Sequence, residues 1–456
     1  MLAATDLPIV FCLHYLGGSA REWSRVAALV SHARCIAIDL PGFGDARESR
    51  GYTVVEMVEH VERAILAHAP ERWFLAGHSM GAKVATVIAR RAEDGVSLSG
   101  LIGLVLVAAS PPGPEPMPNA QRRKMLDYFN GDDGSRRRDA RTFVAENVAM
   151  PLDAECEAIA IDDALRCKRT AWRAWLEKGS REDWAERIGI VQIPTLLIAG
   201  EEDANLGPSA QSLLTAPHFA NVRMKTLAGA KHLLPMERAL DVARAISDHI
   251  ADVSYDALIA STRVGERTRK ALLARATPDD SAYVPVAIDS SLFPTLRAVV
   301  ACVIPQRTDQ PIDLAARLDA RLSAGDGDGR RFDALPSDRD AYGAALRTLD
   351  AVAHHLHGET FAALDPAWQD EMLTHVAAGR LETLRGELDT SQLRAWFEDL
   401  RADAVRIYLA HPRTLARIGY SGIANGGDGI PKSGFMRVGL GEREAWEPIA
   451  VTERVR

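Results

Sequence analysis

The 456-residue sequence contains no long apolar run, no paired-cysteine motif and no excess of basic charge. No apolar stretch approaches the roughly 18 residues that a membrane-spanning helix requires, so we expect no membrane span. The five cysteines are widely separated and none forms a CxxC pair, which argues against a metal or redox site. With 54 basic and 62 acidic residues the net charge is −8, which disfavours nucleic acid as a partner because phosphate binding requires a basic surface.

We expect no secretion signal either. The first residues have neither the basic region nor the long apolar region that such a signal requires. Unpaired, scattered cysteines are typical of a reducing compartment. We therefore predict a cytoplasmic protein.

The composition that remains is typical of a globular protein, with 47% hydrophobic and 25% charged residues, and the length favours more than one domain. In the first half, five short runs rich in Ile, Val and Leu predict buried strands: residues 9–13, 34–38, 73–76, 101–108 and 193–199. Amphipathic stretches between these runs predict helices. Strands that alternate with helices indicate an α/β fold with a mostly parallel sheet.

Two changes in composition divide the chain further. After Ser110 a proline-rich stretch leads into polar, helix-like sequence with several tryptophans, which predicts a helical insertion over residues 111–190. Beyond residue 252 no strand-like run of similar quality occurs, and the sequence favours helices. We therefore predict an α/β domain over residues 1–252 and a mainly helical domain over residues 256–456.

The strongest local pattern is G-x-S-x-G over residues 77–81, which read Gly-His-Ser-Met-Gly. It follows the strand-like run 73–76 and precedes a helix-like run, which is the context of a nucleophile elbow. Serine is a weak nucleophile on its own. A catalytic Ser79 therefore requires a histidine base and a carboxylate that orients the histidine.

Both partners occur in the chain order that this fold uses, serine then acid then histidine. Asp203 follows the strand-like run 193–199, in a loop where Glu201 and Glu202 are competing candidates. His232 lies in a turn of small residues before a predicted helix. We predict Asp203 and His232 as the partners of the nucleophile.

The negative oxygen of a tetrahedral intermediate needs preorganised donors, usually two backbone N–H groups. Met80 directly follows the nucleophile and is placed to supply one of them. Leu16 lies in the glycine-containing loop after the first predicted strand and is the candidate for the other. We predict these two amides as the oxyanion hole.

Together these segments resemble the α/β-hydrolase superfamily, in its branch of small-molecule esterases, lactonases, haloperoxidase-like proteins and carbon–carbon bond hydrolases. The resemblance covers residues 7–252 and rests on His14–Gly18, Trp23, Asp39–Gly44, Ser79, Asp203 and His232, all in the family's order. It implies the α/β-hydrolase fold, with helices on both faces of the sheet, and a helical cap formed by residues 111–190. Serine at the nucleophile position argues against epoxide hydrolases and dehalogenases, which carry aspartate there.

The resemblance also suggests residues of the substrate pocket. Tyr15 stands where the family usually has glycine, and we expect it to narrow the acyl pocket or to shift the Leu16 amide. His78 is expected to line the elbow. Trp172 and Trp175 in the cap are candidate pocket residues, although tryptophans at helical spacing usually serve packing. The reaction requires no metal and no organic cofactor.

We therefore predict a serine hydrolase that cleaves a small-molecule carboxylic ester or lactone through an acyl-enzyme intermediate. The same catalytic residues serve carbon–carbon bond hydrolases of this fold, so that reaction stays open as an alternative.

Residues of about 290–450 resemble a second family, gluconate 2-dehydrogenase subunit 3, the small helical subunit of membrane-linked flavoprotein dehydrogenases. The segments that carry the resemblance are 296–305, 314–322, 342–349, 361–364 and a glycine-rich end from Gly419 to Gly439. It implies an accessory domain that binds a flavin-dependent oxidoreductase of the glucose–methanol–choline type. A further alternative follows, in which the chain is an assembly protein whose hydrolase half is inactive.

Overall fold

The computed structural model describes residues 7–30, 33–96, 98–306, 311–325, 332, 334–383, 387–424, 444 and 446–448. These residues form two compact units. The first contains the described part of Met1–Val264 and of Ala416–Arg456, and the second contains that of Gly265–Leu415. Most of the glycine-rich end, over residues 425–443, lies outside the described residues.

A six-stranded parallel sheet forms the centre of the first unit, in the strand order β2-β1-β3-β4-β5-β6. The strands are β1 (Ile9–Leu13), β2 (Arg34–Ile38), β3 (Trp73–His78), β4 (Leu101–Val107), β5 (Thr195–Gly200) and β6 (Val222–Leu227). Five of them coincide with the predicted apolar runs. The sixth, β6, is missing from the prediction because it is an edge strand with two exposed side chains and no continuous apolar run.

Helices connect the strands and cover both faces of the sheet. They are α1 (Ser24–Leu29), α2 (Val54–Leu66), α3 (Met80–Glu93), α4 (Asn119–Asp127), α5 (Asp133–Glu146), α6 (Ala154–Arg166), α7 (Arg169–Glu177), α8 (Ala185–Ile188), α9 (Pro208–Ala210), α10 (Leu234–Glu237) and α11 (Ala239–Ala260). Among these, α2 begins at a capping box in which Thr53 and Glu56 satisfy free amides of the first turn.

The two faces of the sheet have separate hydrophobic cores because successive strand residues point to opposite sides. In β1, Phe11 and Leu13 belong to the core that contains α2 and α3. Val10 and Cys12 belong to the core that contains α1 and α11. Helices packed on both faces of a parallel sheet confirm the predicted α/β fold.

Between β4 and β5 the chain forms α4 to α8, within the predicted helical insertion. Lys83 of α3 holds the loops at both ends of this insertion. Its side chain is fully buried, and its ammonium group donates hydrogen bonds to the carbonyl oxygens of Gly113 at 2.9 Å and Glu182 at 3.0 Å. The insertion is therefore attached to the helix that follows the elbow.

The second unit is helical, as the sequence predicts. Its helices are α12 (Glu266–Arg275), α13 (Phe293–Val303), α14 (Leu314–Ala324), α15 (Asp338–His357), α16 (Pro366–Ala377) and α17 (Thr390–Ala410), and α18 (Pro412–Arg417) extends past its end. A core that includes Leu296, Leu349 and Trp396 joins α13 to α17. No helix in the described part of the chain has both the length and the apolar composition to cross a bilayer.

The predicted domain boundary at residues 252–256 falls inside α11, and the compact units divide after Val264. The sequence of α11, which follows the last strand, contains no pattern that marks the end of the first unit. Its buried residues continue through Ile259, so its apolar pattern does not change at the predicted boundary.

Candidate active site

Ser79 lies in the sharp turn between β3 and α3. Its backbone has φ 51° and ψ −114°, a conformation that residues other than glycine rarely adopt. Two glycines allow the chain to pass closely here. A Cβ atom on Gly77 would lie 2.5 Å from the carbonyl oxygen of Gly81, and one on Gly81 would lie 2.7 Å from that of Leu13. A strained, glycine-flanked turn of this kind is typical of a nucleophile elbow.

Ser79, His232 and Asp203 form a continuous chain of hydrogen bonds. Ser79 Oγ lies 2.9 Å from His232 Nε2, and His232 Nδ1 lies 2.7 Å from Asp203 Oδ2. A carboxylate only accepts hydrogen bonds, so the ring proton of His232 resides on Nδ1. Nε2 is then the acceptor for the serine hydroxyl, and it is placed to take the proton of that hydroxyl.

Burial and charge act in opposite directions on this pair. Burial alone would raise the pKa of Asp203, but the charge and hydrogen bond of His232 outweigh it and lower that pKa to about 2. For His232 burial alone would lower the pKa, but the charge and hydrogen bond of Asp203 outweigh it and raise that pKa above the usual value of 6.5. Asp203 is therefore ionised at neutral pH and stabilises an imidazolium at His232.

Three acidic residues follow β5, and the structure turns Asp203 towards the histidine. Its other oxygen, Oδ1, accepts hydrogen bonds from the amides of Asn205 at 3.1 Å and Leu206 at 3.0 Å, which fixes the carboxylate. Glu201 and Glu202 are exposed, and Glu201 accepts a hydrogen bond from the Gly229 amide, in the turn after β6. The carboxylate is thus held by its own loop.

The loop after β1 is held by His14. The Tyr15 carbonyl oxygen accepts hydrogen bonds from His14 Nδ1 at 2.7 Å and from the Gly18 amide at 3.1 Å. His14 Nε2 in turn accepts one from the Leu40 amide, which places the ring proton on Nδ1. In a trans peptide the N–H points opposite to the carbonyl, so the Leu16 amide points away from His14.

The second candidate amide belongs to Met80, the first residue of α3. The N–H at this position has no acceptor within its own helix, and it lies at the positive end of the helix dipole. Leu16 lines the same cavity as Ser79. These two amides therefore stay the candidates for the oxyanion hole.

Ser79, Asp203 and His232 face a cavity of about 110 Å³. From the insertion it is lined by Glu115, Pro116, Met117, Gln121, Lys124, Met125, Phe143, Glu146, Asn147 and Trp175. The charged and polar groups of its wall are partly paired with one another. Lys124 forms an ion pair with Glu146, and Asn205 donates a hydrogen bond to Gln121.

Glu115 is an acidic residue of this cavity that the sequence analysis does not single out. Burial raises its pKa, and the hydrogen bond from the Ser110 hydroxyl and the charge of Lys83 act against that rise. The Ser110 amide donates to the Ser79 carbonyl oxygen at 3.2 Å, so Glu115 is linked to the elbow. Its position in a proline-rich stretch offers no pattern that would mark it.

Residues 9–245, just over half of the chain, match the model of the alpha/beta hydrolase family. The chain belongs to the alpha/beta hydrolase family. Residues 292–427 of the chain match the model of gluconate 2-dehydrogenase subunit 3. Both resemblances expected from the sequence are therefore confirmed.

The hydrolase unit is similar to curated enzymes over part of their length. It is 33% identical over 126 residues to a pimeloyl-[acyl-carrier protein] methyl ester esterase of Serratia marcescens, a match that spans 25% of this chain and 46% of that protein. It is 25% identical over 224 residues to 2-succinyl-6-hydroxy-2,4-cyclohexadiene-1-carboxylate synthase of Citrobacter koseri, spanning 46% of this chain and 84% of that protein. The chain thus spans less than half the length of the first of these relatives.

Among solved structures, the chain is similar to the enol-lactonase of Burkholderia xenovorans LB400, with 19% identity and a TM-score of 0.46 over 54% of this chain and 91% of that one. It is also similar to an esterase of Exiguobacterium antarcticum, with 15% identity and a TM-score of 0.47 over 53% of this chain and 91% of that one.

The predicted pocket residues of the hydrolase divide into two groups. Tyr15 and Trp175 line the cavity. Trp172 is not among the residues that line it, because its indole donates to the Met125 carbonyl oxygen at 2.8 Å and its ring packs edge-on against two phenylalanines. His78 is fully buried behind the elbow and is also not part of the cavity wall.

Proposed function

We propose that this alpha/beta hydrolase cleaves a carboxylic ester or a lactone, with Ser79 as the nucleophile. The observation that carries the proposal is the chain of hydrogen bonds from Ser79 through His232 to Asp203 beside a cavity. The similarity of the chain to a methyl ester esterase supports this reaction class.

In the proposed mechanism, Ser79 Oγ attacks the substrate carbonyl carbon while His232 Nε2 takes its proton. The amides of Leu16 and Met80 stabilise the negative oxygen of the tetrahedral intermediate. His232 then gives the proton to the leaving alcohol oxygen, and an acyl group stays on Ser79. Water, deprotonated by His232, attacks the acyl group and releases the carboxylic acid.

The cavity sets the size of the acyl group. At about 110 Å³ it is smaller than the cavity of roughly 150 Å³ that accommodates benzene in an engineered protein. We therefore expect short acyl chains, with longer alcohol portions extending away from the cavity.

We further propose that the second unit binds a flavin-dependent oxidoreductase, as its family match over residues 292–427 suggests. A lactone produced by such an oxidoreductase would be a substrate for the first unit. Turnover of simple aryl esters with none of lactones would contradict this link between the units.

The test is hydrolysis of a panel of short-chain esters and lactones by the full chain, with products identified by mass spectrometry. We expect a carboxylic acid and an alcohol, or a hydroxy acid from a lactone, and a loss of at least a thousandfold in Ser79→Ala. Ser212→Ala, which changes an exposed serine outside the cavity, is the matched control and should keep full activity. Products of carbon–carbon cleavage, or activity that survives in Ser79→Ala, would contradict the proposal.

A further inference from the structure

Glu22 is a buried carboxyl group behind the candidate active site. It follows the loop after β1, in the short 3-10 helix Ala20–Trp23, and is 2% exposed. Its Oε2 atom accepts a hydrogen bond from the Tyr15 amide at 3.5 Å, and its Oε1 atom lies 3.2 Å from His78 Nδ1. Gly18 makes room for it, because a Cβ there would lie 2.9 Å from Oε2.

His78 continues this contact to the loop of the proposed base. The residue is fully buried and precedes Ser79 in the chain. Its Nε2 atom lies 2.8 Å from the carbonyl oxygen of His232, and its ring packs 5.2 Å from the His232 ring. A carbonyl oxygen only accepts hydrogen bonds, so Nε2 of His78 carries a proton.

The proton between Glu22 and His78 then has two possible positions. Either Glu22 is a neutral acid that donates to Nδ1, or it is a carboxylate beside an imidazolium. Burial raises the pKa of Glu22 well above its usual range and lowers that of His78 well below its own, and the charge of His232 lowers the latter further. The neutral form is favoured.

In that form every contact pairs a donor with an acceptor. The carbonyl oxygen of the Glu22 acid accepts from the Tyr15 amide, its hydroxyl donates to His78 Nδ1, and His78 Nε2–H donates to the His232 carbonyl oxygen. Two buried side chains, Glu22 and His78, thereby connect the loop before the Leu16 amide, the elbow and the loop of the base.

We propose that Glu22 is a positioning residue that holds the loop of the Leu16 amide directly, and His232 through His78, in register with Ser79. The inference rests on the proposed function, because it assigns a role relative to that triad. Neither Glu22 nor His78 lines the cavity, so their effect concerns the rate of the reaction and not substrate binding.

Other contacts also hold the loop that carries His232. The amides of His232 and Leu233 both donate to the Asn147 carbonyl oxygen at 3.1 Å, which holds the same loop from the other side. Loss of the Glu22 contact should therefore displace His232 without releasing it. A displacement of about 1 Å at reacting groups costs about a hundredfold in rate, so we expect a loss of about 10- to 100-fold.

The test compares Glu22→Gln, Glu22→Ala, His78→Gln and His78→Ala in the full chain. Glutamine at position 22 keeps one acceptor for Tyr15 and one donor for His78, and glutamine at position 78 keeps a donor for the His232 carbonyl. We expect both glutamine variants to react with a fluorophosphonate at Ser79 within about threefold of the wild-type rate. Both alanine variants should be about 10- to 100-fold slower in labelling and in kcat, with KM changed less than twofold.

Glu62→Ala is the matched control, because Glu62 is also a buried carboxyl group but pairs with Arg91 outside the cavity. It should lower the melting temperature without slowing the labelling. If Glu22→Ala is not recovered folded, His78→Ala against His78→Gln decides the same question.

Wild-type labelling rates in the alanine variants would overturn the positioning role. A Glu22→Gln variant as slow as Glu22→Ala would overturn the neutral network, since glutamine would then place its NH₂ group against another donor. No labelling of wild-type protein at Ser79 would instead refute the proposed function, which keeps the two failures distinct.

Discussion

Replacement of Lys83 by methionine tests how the insertion is attached to the hydrolase unit. The Lys83 ammonium is fully buried, and its partners include the carbonyl oxygens of Gly113 and Glu182. Burial lowers the pKa of Lys83 from 10.5 to about 8, although nearby carboxylates such as Glu115 act against that fall. Methionine keeps most of the side-chain volume and removes the charge.

The pKa shift sets the magnitude and the sign of the effect. A fall from 10.5 to about 8 corresponds to about 3 kcal/mol of the unfolding free energy. Between these pH values the unfolded chain binds more protons at Lys83 than the folded chain does, so stability rises with pH in this window. Below pH 8 the cost of the buried charge is fully present, and above pH 10.5 it is gone.

The measurement is urea unfolding, followed by tryptophan fluorescence, at about pH 7.5, 9 and 10.5. The difference in unfolding free energy between wild type and Lys83→Met removes the contribution of other titrating groups. We expect this difference to rise by about 3 kcal/mol in favour of wild type from the lowest to the highest pH. The carbonyl groups that lose their donor in the variant add the same amount to this difference at every pH. The test is therefore how the difference changes with pH.

Lys178→Met, at an exposed position, is the control and should give a difference that does not change with pH. A flat difference for Lys83→Met as well, within about 1 kcal/mol, would refute the assignment of a buried ammonium with a lowered pKa at this position.

Three further predictions concern acidic residues. Asp203→Asn should lower kcat on a short-chain ester by about 10³- to 10⁴-fold, because an amide no longer fixes the His232 tautomer, and wild-type kinetics would contradict this. Asp319, fully buried in the second unit, accepts hydrogen bonds from the Tyr283 hydroxyl and from the amides of residues 286–288. Asp319→Ala should therefore cost about 3 kcal/mol in chemical denaturation, and a loss below about 1 kcal/mol would contradict this. Glu115→Gln should raise kcat/KM for an ester with a carboxylate tail about fivefold relative to a neutral ester, because a like charge in the cavity costs on the order of 1 kcal/mol. An unchanged ratio of the kcat/KM values for the two esters would count against a charged Glu115.

Much of the fold follows from local sequence patterns. Buried parallel strands such as β1 and β5 require continuous apolar runs, so their positions can be read from composition. The edge strand β6 has one partner strand and two exposed side chains, so it has no such run. The position of the division after Val264 is likewise invisible, because α11 keeps its apolar face across the predicted boundary.

The residues of the candidate site also divide into those that sequence patterns predict and those that they do not. Ser79 is predicted because its turn imposes glycines within a five-residue window, and Asp203 and His232 are predicted because their order along the chain is limited by the sheet. Glu22 and Glu115 have no such signal. Their significance comes from contacts with segments distant in sequence. Glu22 and His78, for example, are 56 positions apart, and only the folded chain brings them together.

The most direct test of the central claim is mass spectrometric location of a fluorophosphonate adduct on the full chain. We predict a single adduct on Ser79 that forms readily in wild type and is absent from Ser79→Ala, with folding of the variant confirmed by its circular dichroism. An unlabelled Ser79 in folded wild-type protein, or an adduct that persists in Ser79→Ala, would contradict the assignment of Ser79 as an activated nucleophile.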